Sequence, residues 1–158
     1  MILYLLQLFL HINLYLRSLA YWLTGSENEH GAVRKHIIDY IEQELAFFDA
    51  GKTEGHDWFL LFKYRNAMTR HVNDKRYPAK SAAEVEKWAS NVDLLAAARL
   101  YGINVLVHVS NIAQKTSAWQ VYNPYADNAL FLSTPASEKF SVYINYVNRN
   151  HYQVICDV

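Results

Sequence analysis

The strongest constraint on the fold is a change in hydrophobic period at Gly102. Before it, apolar residues recur every three or four positions, in segments that predict helices. After it, Ile103, Val105, Val107 and Val109 alternate with other residues, which is the pattern of a strand with one buried face. Helices followed by a run of short strands are typical of an α+β (mixed α/β) domain, with helices packed around a small twisted mixed β-sheet.

Element boundaries follow from these periods and from the residues that cap or end them. Helical segments are expected over residues 14–23, 27–48, 82–88 and 92–101, a shorter amphipathic segment over 58–71, and a loop around Pro78 within residues 73–81. Short strands are expected over residues 103–109, 119–122, 129–132, 140–145 and 152–158. Gly25 is an expected helix stop and Ser26 an expected N-cap. Ser90 and Asn91 are alternative caps of the last helix, in which Asp93 is a first-turn partner of the helix dipole rather than a catalytic acid.

Composition bounds the class of protein. The 158 residues carry 15 basic and 15 acidic side chains, so no net charge favours nucleic acid or an anionic membrane as a partner. Cys156 is the single cysteine, which excludes an internal disulfide and fits a reducing compartment, the cytoplasm or the nucleus. His30 and His36 have no companions at metal-ligand spacing, so we expect no metal and no other cofactor.

The first residues need a separate interpretation. Residues 2–23 form an apolar stretch long enough to suggest a transmembrane helix or a signal peptide. The stretch also contains side chains that are costly in a bilayer, namely Gln7, His11, Asn13 and Arg17. A membrane-anchored protein is therefore an alternative, and a buried helix ending at Gly25 is preferred. We assign residues 1–12 to an atypical apolar leader and residues 13–158 to a single domain.

Three features far apart in the chain suggest a cysteine-peptidase site. A helix is expected to start near Leu14, and thiol peptidases keep the nucleophilic cysteine at a helix N-terminus, where backbone amides favour the thiolate. His151 follows a polar turn and stands at the head of a strand, beside Tyr152. The long separation also fits, because such partners meet in the fold and not in the sequence. Taken alone, however, such a histidine is more often structural than catalytic.

Four ordered blocks of sequence resemble the OTU (ovarian tumour) domain, a family of deubiquitinating cysteine peptidases. They are N-L-Y-L-R-S-L-A-Y-W-L-T-G at 13–25, E-N-E-H-G-A-V-R at 27–34, W-A-S-N-V-D-L-L-A-A-A-R-L-Y-G-I-N-V at 88–105 and N-H-Y-Q-V-I at 150–155. The resemblance implies an OTU-like cysteine-peptidase fold and ubiquitin or a ubiquitin-like protein as the partner. The family reaction that it implies is hydrolysis of the isopeptide bond after ubiquitin's C-terminal glycine.

The resemblance also implies roles for individual residues. His151 would be the general base that deprotonates the thiol and later protonates the leaving amine. The residue that orients the imidazole often lies two positions later in the family, where this chain has Gln153 instead of an acid. Asn150 is the nearby substitute, although neighbours on a strand point to opposite faces. Asn13 corresponds to the region that shapes the oxyanion hole.

The nucleophile of that family is missing from this chain. Where the family has D-G-x-C, the chain has His11-Ile12-Asn13-Leu14, and leucine has neither the lone pair nor the proton that covalent catalysis needs. Cys156 lies five residues beyond His151 on one expected strand, roughly 17 Å away, which excludes it as a substitute. Ser18 lies one helical turn after Leu14 and would need the whole site to re-form around it.

The loss of the nucleophile leaves two interpretations open. In the first, the chain is a pseudoenzyme that keeps the fold and serves as a ubiquitin-binding or scaffolding module. In the second, it is a truncated or wrongly extended form of an active deubiquitinase, because the resemblance begins abruptly at Asn13 after an apolar run without turn residues. In both cases this chain is expected to be inactive as a thiol protease.

Overall fold

A computed structural model describes residues 14–49, 65–77, 90–111, 116–125, 134–147 and 151–155 of the chain. Its helices are α1 Leu14–Thr24, α2 His30–Asp49, α3 Arg65–Lys75 and α4 Asn91–Tyr101. Its strands are β1 Asn104–Asn111, β2 Thr116–Tyr122, β3 Ser141–Val147 and β4 His151–Val154. The helix predicted over 82–88 and the strand predicted over 129–132 lie outside the described residues.

The first two helices confirm the predicted stop and cap between them. α1 ends at Thr24, and Gly25 adopts a φ of 78°, a left-handed conformation that ends a helix without steric cost. The Ser26 side chain accepts a hydrogen bond from the Asn28 amide. This cap opens a short 3-10 helix, Glu27–Glu29, so the second predicted helix begins with a tight turn before α2 proper.

The third helix differs from its prediction at its end. α3 continues through Lys75, four residues beyond the end of the predicted amphipathic segment at His71. The reason is tertiary, because the last turn of α3 is held by partners far away in the sequence. Lys75 Nζ lies 2.9 Å from Asp93 Oδ2, and Arg76 donates to Asp39 Oδ1 at 3.1 Å. The earlier part of the predicted segment, 58–64, lies outside the described residues.

The strands form one mixed sheet in the order β2-β1-β3-β4. The sequence predicted a small mixed sheet but not this order. β1 runs parallel to β3 at the centre, and the outer pairs β1–β2 and β3–β4 are antiparallel. The predicted alternation in β1 is confirmed, since Val105 and Val107 are buried. The last strand was predicted from 152, but β4 already includes His151 and ends at Val154.

One hydrophobic core joins the helices to one face of the sheet. The apolar stripe predicted on α2 is confirmed, because the side chains of Val33, Ile37, Ile38 and Ile41 are all buried. They pack with α1, α4 and the inner faces of β1 and β3 in one cluster. Within the part of the chain that the structure describes, no helix has both the length and the apolar character needed to cross a membrane.

Gly102 ends α4 in a left-handed conformation, with φ 62° and ψ 38°, while Ser90 is the N-cap of that helix. We expect Gly102→Ala to lower the free energy of unfolding by about 1–2 kcal/mol, because a Cβ is disfavoured in this conformation. Gly31→Ala is a matched control, since Gly31 lies in α2 and an added Cβ meets no atom within 4 Å at either position. It should be neutral or stabilising by up to about 1 kcal/mol. Urea unfolding measures both, and equal effects would contradict the role of the left-handed turn.

Candidate functional site

The sequence-predicted site divides between the two ends of the chain. Leu14, the lost nucleophile position, is the first described residue of α1. Asn13 and Asn150, the predicted oxyanion and substitute orienting residues, lie outside the described residues, as does Cys156. Ser18 is buried, with 3% of its surface exposed, so a hydroxyl rescue of the chemistry would start from a position closed to substrate.

His151 is the first residue of β4, at the outer edge of the sheet. In the antiparallel register of β3 and β4 it lies opposite Val147, and Gln153 lies opposite Asn145. The backbone therefore puts the predicted general base at the end of a short edge strand. The same register gives Gln153 a polar cross-strand neighbour.

The packing of α1 indicates how the two parts relate. α1 contacts both β3 and β4, and Trp22 Nε1 donates to the carbonyl oxygen of Tyr143 at 3.2 Å. The Ile155 amide donates to that same carbonyl, so the end of β4 lies at the level of Trp22. Leu14 is eight residues before Trp22, roughly 12 Å along the helix, and His151 is four residues before Ile155, roughly 13 Å along the strand.

A row of polar and aromatic side chains crosses the sheet at one level of the register. His108 in β1 lies opposite Trp119 in β2 on one side and opposite Asn145 in β3 on the other. The His108 Nδ1–H donates to Asn145 Oδ1 at 3.0 Å, and the His108 and Trp119 ring centroids are 5.0 Å apart. The Tyr143 and Trp119 rings are nearly perpendicular, with their centroids 6.0 Å apart. In the backbone register, Asn145 is opposite Gln153 of β4.

A second polar group lies buried between α3 and the start of α4. Asp93 Oδ1 accepts from His71 Nε2 at 2.8 Å, and Asp93 Oδ2 accepts from Lys75 Nζ at 2.9 Å. The amide and the hydroxyl of Ser90 also donate to Oδ2, at 2.6 and 2.9 Å. Arg34 on α2 donates to the Lys75 carbonyl at 3.0 Å, which ties a third helix to the group. We call Asp93, His71, Lys75 and Arg34 the buried charge cluster.

The electrostatics of the buried charge cluster favour an ionised Asp93. Burial alone would raise the pKa of Asp93, but the hydrogen bond from His71 and the positive charge of Lys75 outweigh it and hold that pKa well below its usual range. Burial also lowers the pKa of Arg34, with Tyr15 and Asp93 opposing that effect. The charges therefore stabilise one another in a site from which water is largely excluded.

The buried charge cluster lies directly behind the first turn of α1. A cavity of about 10 Å³, enough for one water molecule, is lined by Tyr15 and Leu16 of α1 and by three members of the cluster.

The expectation that Asp93 supports the start of α4 is confirmed by its bonds to Ser90. Sequence reasoning missed His71 and Lys75, whose only signal is their i, i+4 spacing on one helix. Among the described residues, no group of three His, Cys, Asp or Glu could hold a metal ion.

Comparisons with family models and with curated proteins find no match to this chain. Several solved structures do resemble it. The OTU domain of OTUD1 matches with a TM-score of 0.57 and 16% identity, over 91% of this chain and 79% of that one. The viral OTU domain protease from Dera Ghazi Khan virus matches with 0.51 and 13%, over 89% and 74%. The protease from Farallon virus matches with 0.51 and 12%, over 90% and 79%. This chain has an OTU-like fold.

The OTU-like fold confirms the architecture that the four sequence blocks implied. Identities of 12–16% establish the fold alone, so they assign no activity. The assignments of Leu14 as the lost nucleophile position and of His151 as the general base therefore remain predictions from the sequence resemblance.

Proposed function

We propose that this chain is a non-catalytic module that binds ubiquitin or a ubiquitin-like protein through an OTU-like fold. One observation carries the proposal: the fold is OTU-like, yet the chain has Leu14 where the sequence resemblance requires a cysteine. The ancestral function is that of a cysteine-type deubiquitinase. The chain would keep the ability to bind ubiquitin, because binding depends on the shape of the surface. It would lose hydrolysis, because hydrolysis depends on a thiolate that leucine cannot supply.

The chemistry of the start of α1 supports a site that binds without reacting. Acyl transfer requires a nucleophile in contact with the scissile carbonyl and a general base within hydrogen-bond reach of it. A leucine side chain offers only an apolar contact there. A peptide tail such as the C-terminal glycines of ubiquitin would therefore be held with its amide bond intact.

Titration of isotope-labelled ubiquitin with the chain tests the proposal. We expect chemical-shift changes on one face of ubiquitin and in its C-terminal tail, because the ancestral substrate presents that tail to the site. Ubiquitin lacking its last two glycines is the matched control and should bind about tenfold more weakly, which corresponds to about 1.4 kcal/mol. Unchanged spectra at millimolar chain would contradict the proposal.

A further inference from the structure

The row of side chains across the sheet, formed by His108, Trp119, Tyr143 and Asn145, has the chemistry of a binding site for a flat cation. We propose that this row binds the guanidinium group of an arginine side chain that a protein partner presents. The guanidinium would stack on the Trp119 ring and donate a hydrogen bond to His108 Nε2. Such binding goes beyond the proposed function, because it depends neither on ubiquitin nor on Leu14.

The row lies on the face of the sheet that is turned away from the core. Val107 and Ile144 precede His108 and Asn145 in their strands and are buried, with 2% and 0% of their surface exposed. Successive residues of a strand point to opposite faces, so His108 and Asn145 belong to the outer face. Trp119, opposite His108, is 48% exposed. About half of a large aromatic side chain is therefore open to a partner, and tryptophan is a frequent anchor of protein interfaces.

The contact with Asn145 determines which nitrogen of His108 accepts a hydrogen bond. Asn145 Oδ1 can only accept, so His108 Nδ1, at 3.0 Å, carries the proton of this contact. In a neutral imidazole the lone pair is then on Nε2. Among the described residues no group donates to Nε2, and His108 is only half-buried. The imidazole thus presents an acceptor beside the Trp119 ring, with the two ring centroids 5.0 Å apart.

These groups favour a guanidinium over other ligands. The face of an aromatic ring carries partial negative charge and attracts a cation, most strongly at tryptophan. A carboxylate or a phosphate would meet that ring face and the lone pair of His108 Nε2, which both disfavour an anion. A guanidinium is flat, is always charged and has five N–H donors, so it can stack on Trp119 and donate to His108 at the same time. Within the described part of the chain, no lysine or arginine lies over the Trp119 ring.

The experiment is NMR titration of the full chain with N-acetyl-argininamide. The corresponding lysine and citrulline derivatives are the matched controls at equal ionic strength, because citrulline replaces the guanidinium with a neutral group of the same shape. We expect the arginine derivative to shift the Trp119 indole N–H signal and the His108 Nε2 signal. It should bind at least about threefold more tightly than either control, since only a guanidinium combines the charge with the flat face.

Charge changes at Ser117 test the electrostatic part of the proposal without altering the row. Ser117 is exposed and lies two residues before Trp119, on the same face of β2. Ser117→Glu should strengthen binding of the arginine derivative about two- to threefold, and Ser117→Lys should weaken it by a similar factor. Thr69→Glu makes the same charge change at an exposed position of α3, which packs on α2, and should have no effect.

Removal of the indole tests the stacking. Trp119→Leu should abolish the preference for arginine over lysine, because an aliphatic side chain offers no ring face to the guanidinium. If this variant fails to fold, the comparison of Ser117→Glu with Thr69→Glu decides, since both changes are at exposed positions.

Several outcomes would overturn the proposal. Equal binding of the lysine or citrulline derivative would show that the flat cation is not recognised, and tighter binding of N-acetyl-phenylalaninamide would identify an apolar patch instead. Equal effects of Ser117→Glu and Thr69→Glu, or no shift at Trp119 and His108, would also contradict it. Ubiquitin titration of the wild type is read separately, so a preference for arginine without ubiquitin binding contradicts only the proposed function.

Discussion

A ubiquitin probe with a C-terminal electrophile should leave the wild-type chain unmodified. The residue at the start of α1 is Leu14, which has no atom able to attack the electrophile. Loss of the nucleophile from a thiol or serine hydrolase site costs about a millionfold in rate, so no slow residual labelling is expected on a laboratory time scale. Gel shift and intact mass spectrometry both measure the adduct.

Stepwise restoration of the lost element gives this prediction its sharpest form. Leu14→Cys alone should label weakly, because His11 and Ile12 still replace the acid and the glycine of the family's D-G-x-C element. The triple variant His11→Asp, Ile12→Gly, Leu14→Cys should label at least about tenfold faster, since it restores the turn that shapes the oxyanion region. Strong labelling of the single variant would show that this turn contributes little.

Two controls identify the source of any adduct. His151→Ala in the triple variant should abolish labelling if the histidine is the general base. Cys156→Ser removes the chain's only natural thiol and should have no effect. A wild-type adduct that disappears with His151→Ala would contradict the non-catalytic assignment outright.

Asp93→Ala should be strongly destabilising, lowering the free energy of unfolding by about 3–5 kcal/mol. The carboxylate accepts hydrogen bonds from His71, Lys75 and Ser90, so its removal leaves the Lys75 charge buried without that carboxylate. In a chain of this length the loss corresponds to a fall in Tm of about 6–20 °C. Thermal and urea unfolding measure it.

The exposed pair Lys35–Asp39 is the natural control for the buried one. Its lysine side chain is 71% exposed, whereas those of Lys75 and Asp93 are 7% and 3% exposed. Lys35→Ala should therefore change the free energy of unfolding by less than about 1 kcal/mol. Equal effects of Lys35→Ala and Asp93→Ala would contradict the assignment of the large effect to burial.

The pH dependence of unfolding follows from the same carboxylate. Because the pKa of Asp93 is lower in the folded chain than in the unfolded chain, the unfolded chain binds the proton more readily. The contribution of Asp93 to the free energy of unfolding is fully present above the ordinary aspartate pKa of about 3.9. It is lost as the pH falls from that value towards the lower pKa of the folded chain. In Asp93→Asn, the free energy of unfolding should fall less steeply with decreasing pH than in the wild type. A wild-type stability that stays constant from neutral pH to about pH 3 would contradict the depressed pKa.

Local patterns were enough to predict the parts of the fold that are periodic. The α2 stripe from Val33 to Ile41 and the alternation in β1 follow from burial of one face, and Gly25 and Gly102 end their helices through a backbone preference. α3 extends beyond the predicted end of the amphipathic segment at His71, because contacts to Asp93 and Asp39, distant in sequence, hold its last turn. Contacts between residues far apart in the chain do not produce a periodic pattern in the sequence, so they could not be predicted from it.

The candidate site shows the same division. Leu14 and His151 were identified by resemblance to a family, and they belong to α1 and β4 of the structure. The row formed by His108, Trp119 and Asn145 was not identified, because it depends on which residues face each other across three strands. A register is fixed by the whole sheet and cannot be read from any one segment.

The hydrogen bond between Trp22 and Tyr143 spans 121 residues, and this separation matters during synthesis. At about 5–20 residues per second, a ribosome needs roughly 6–24 s to add the chain between them. During that interval α2 can cover only part of the apolar side of α1, which carries Leu16 and Leu19. The apolar face of α1 is thus exposed to chaperones before β3 and β4 have left the exit tunnel. We expect the yield of folded protein to depend on chaperones more than is usual for a domain of this length.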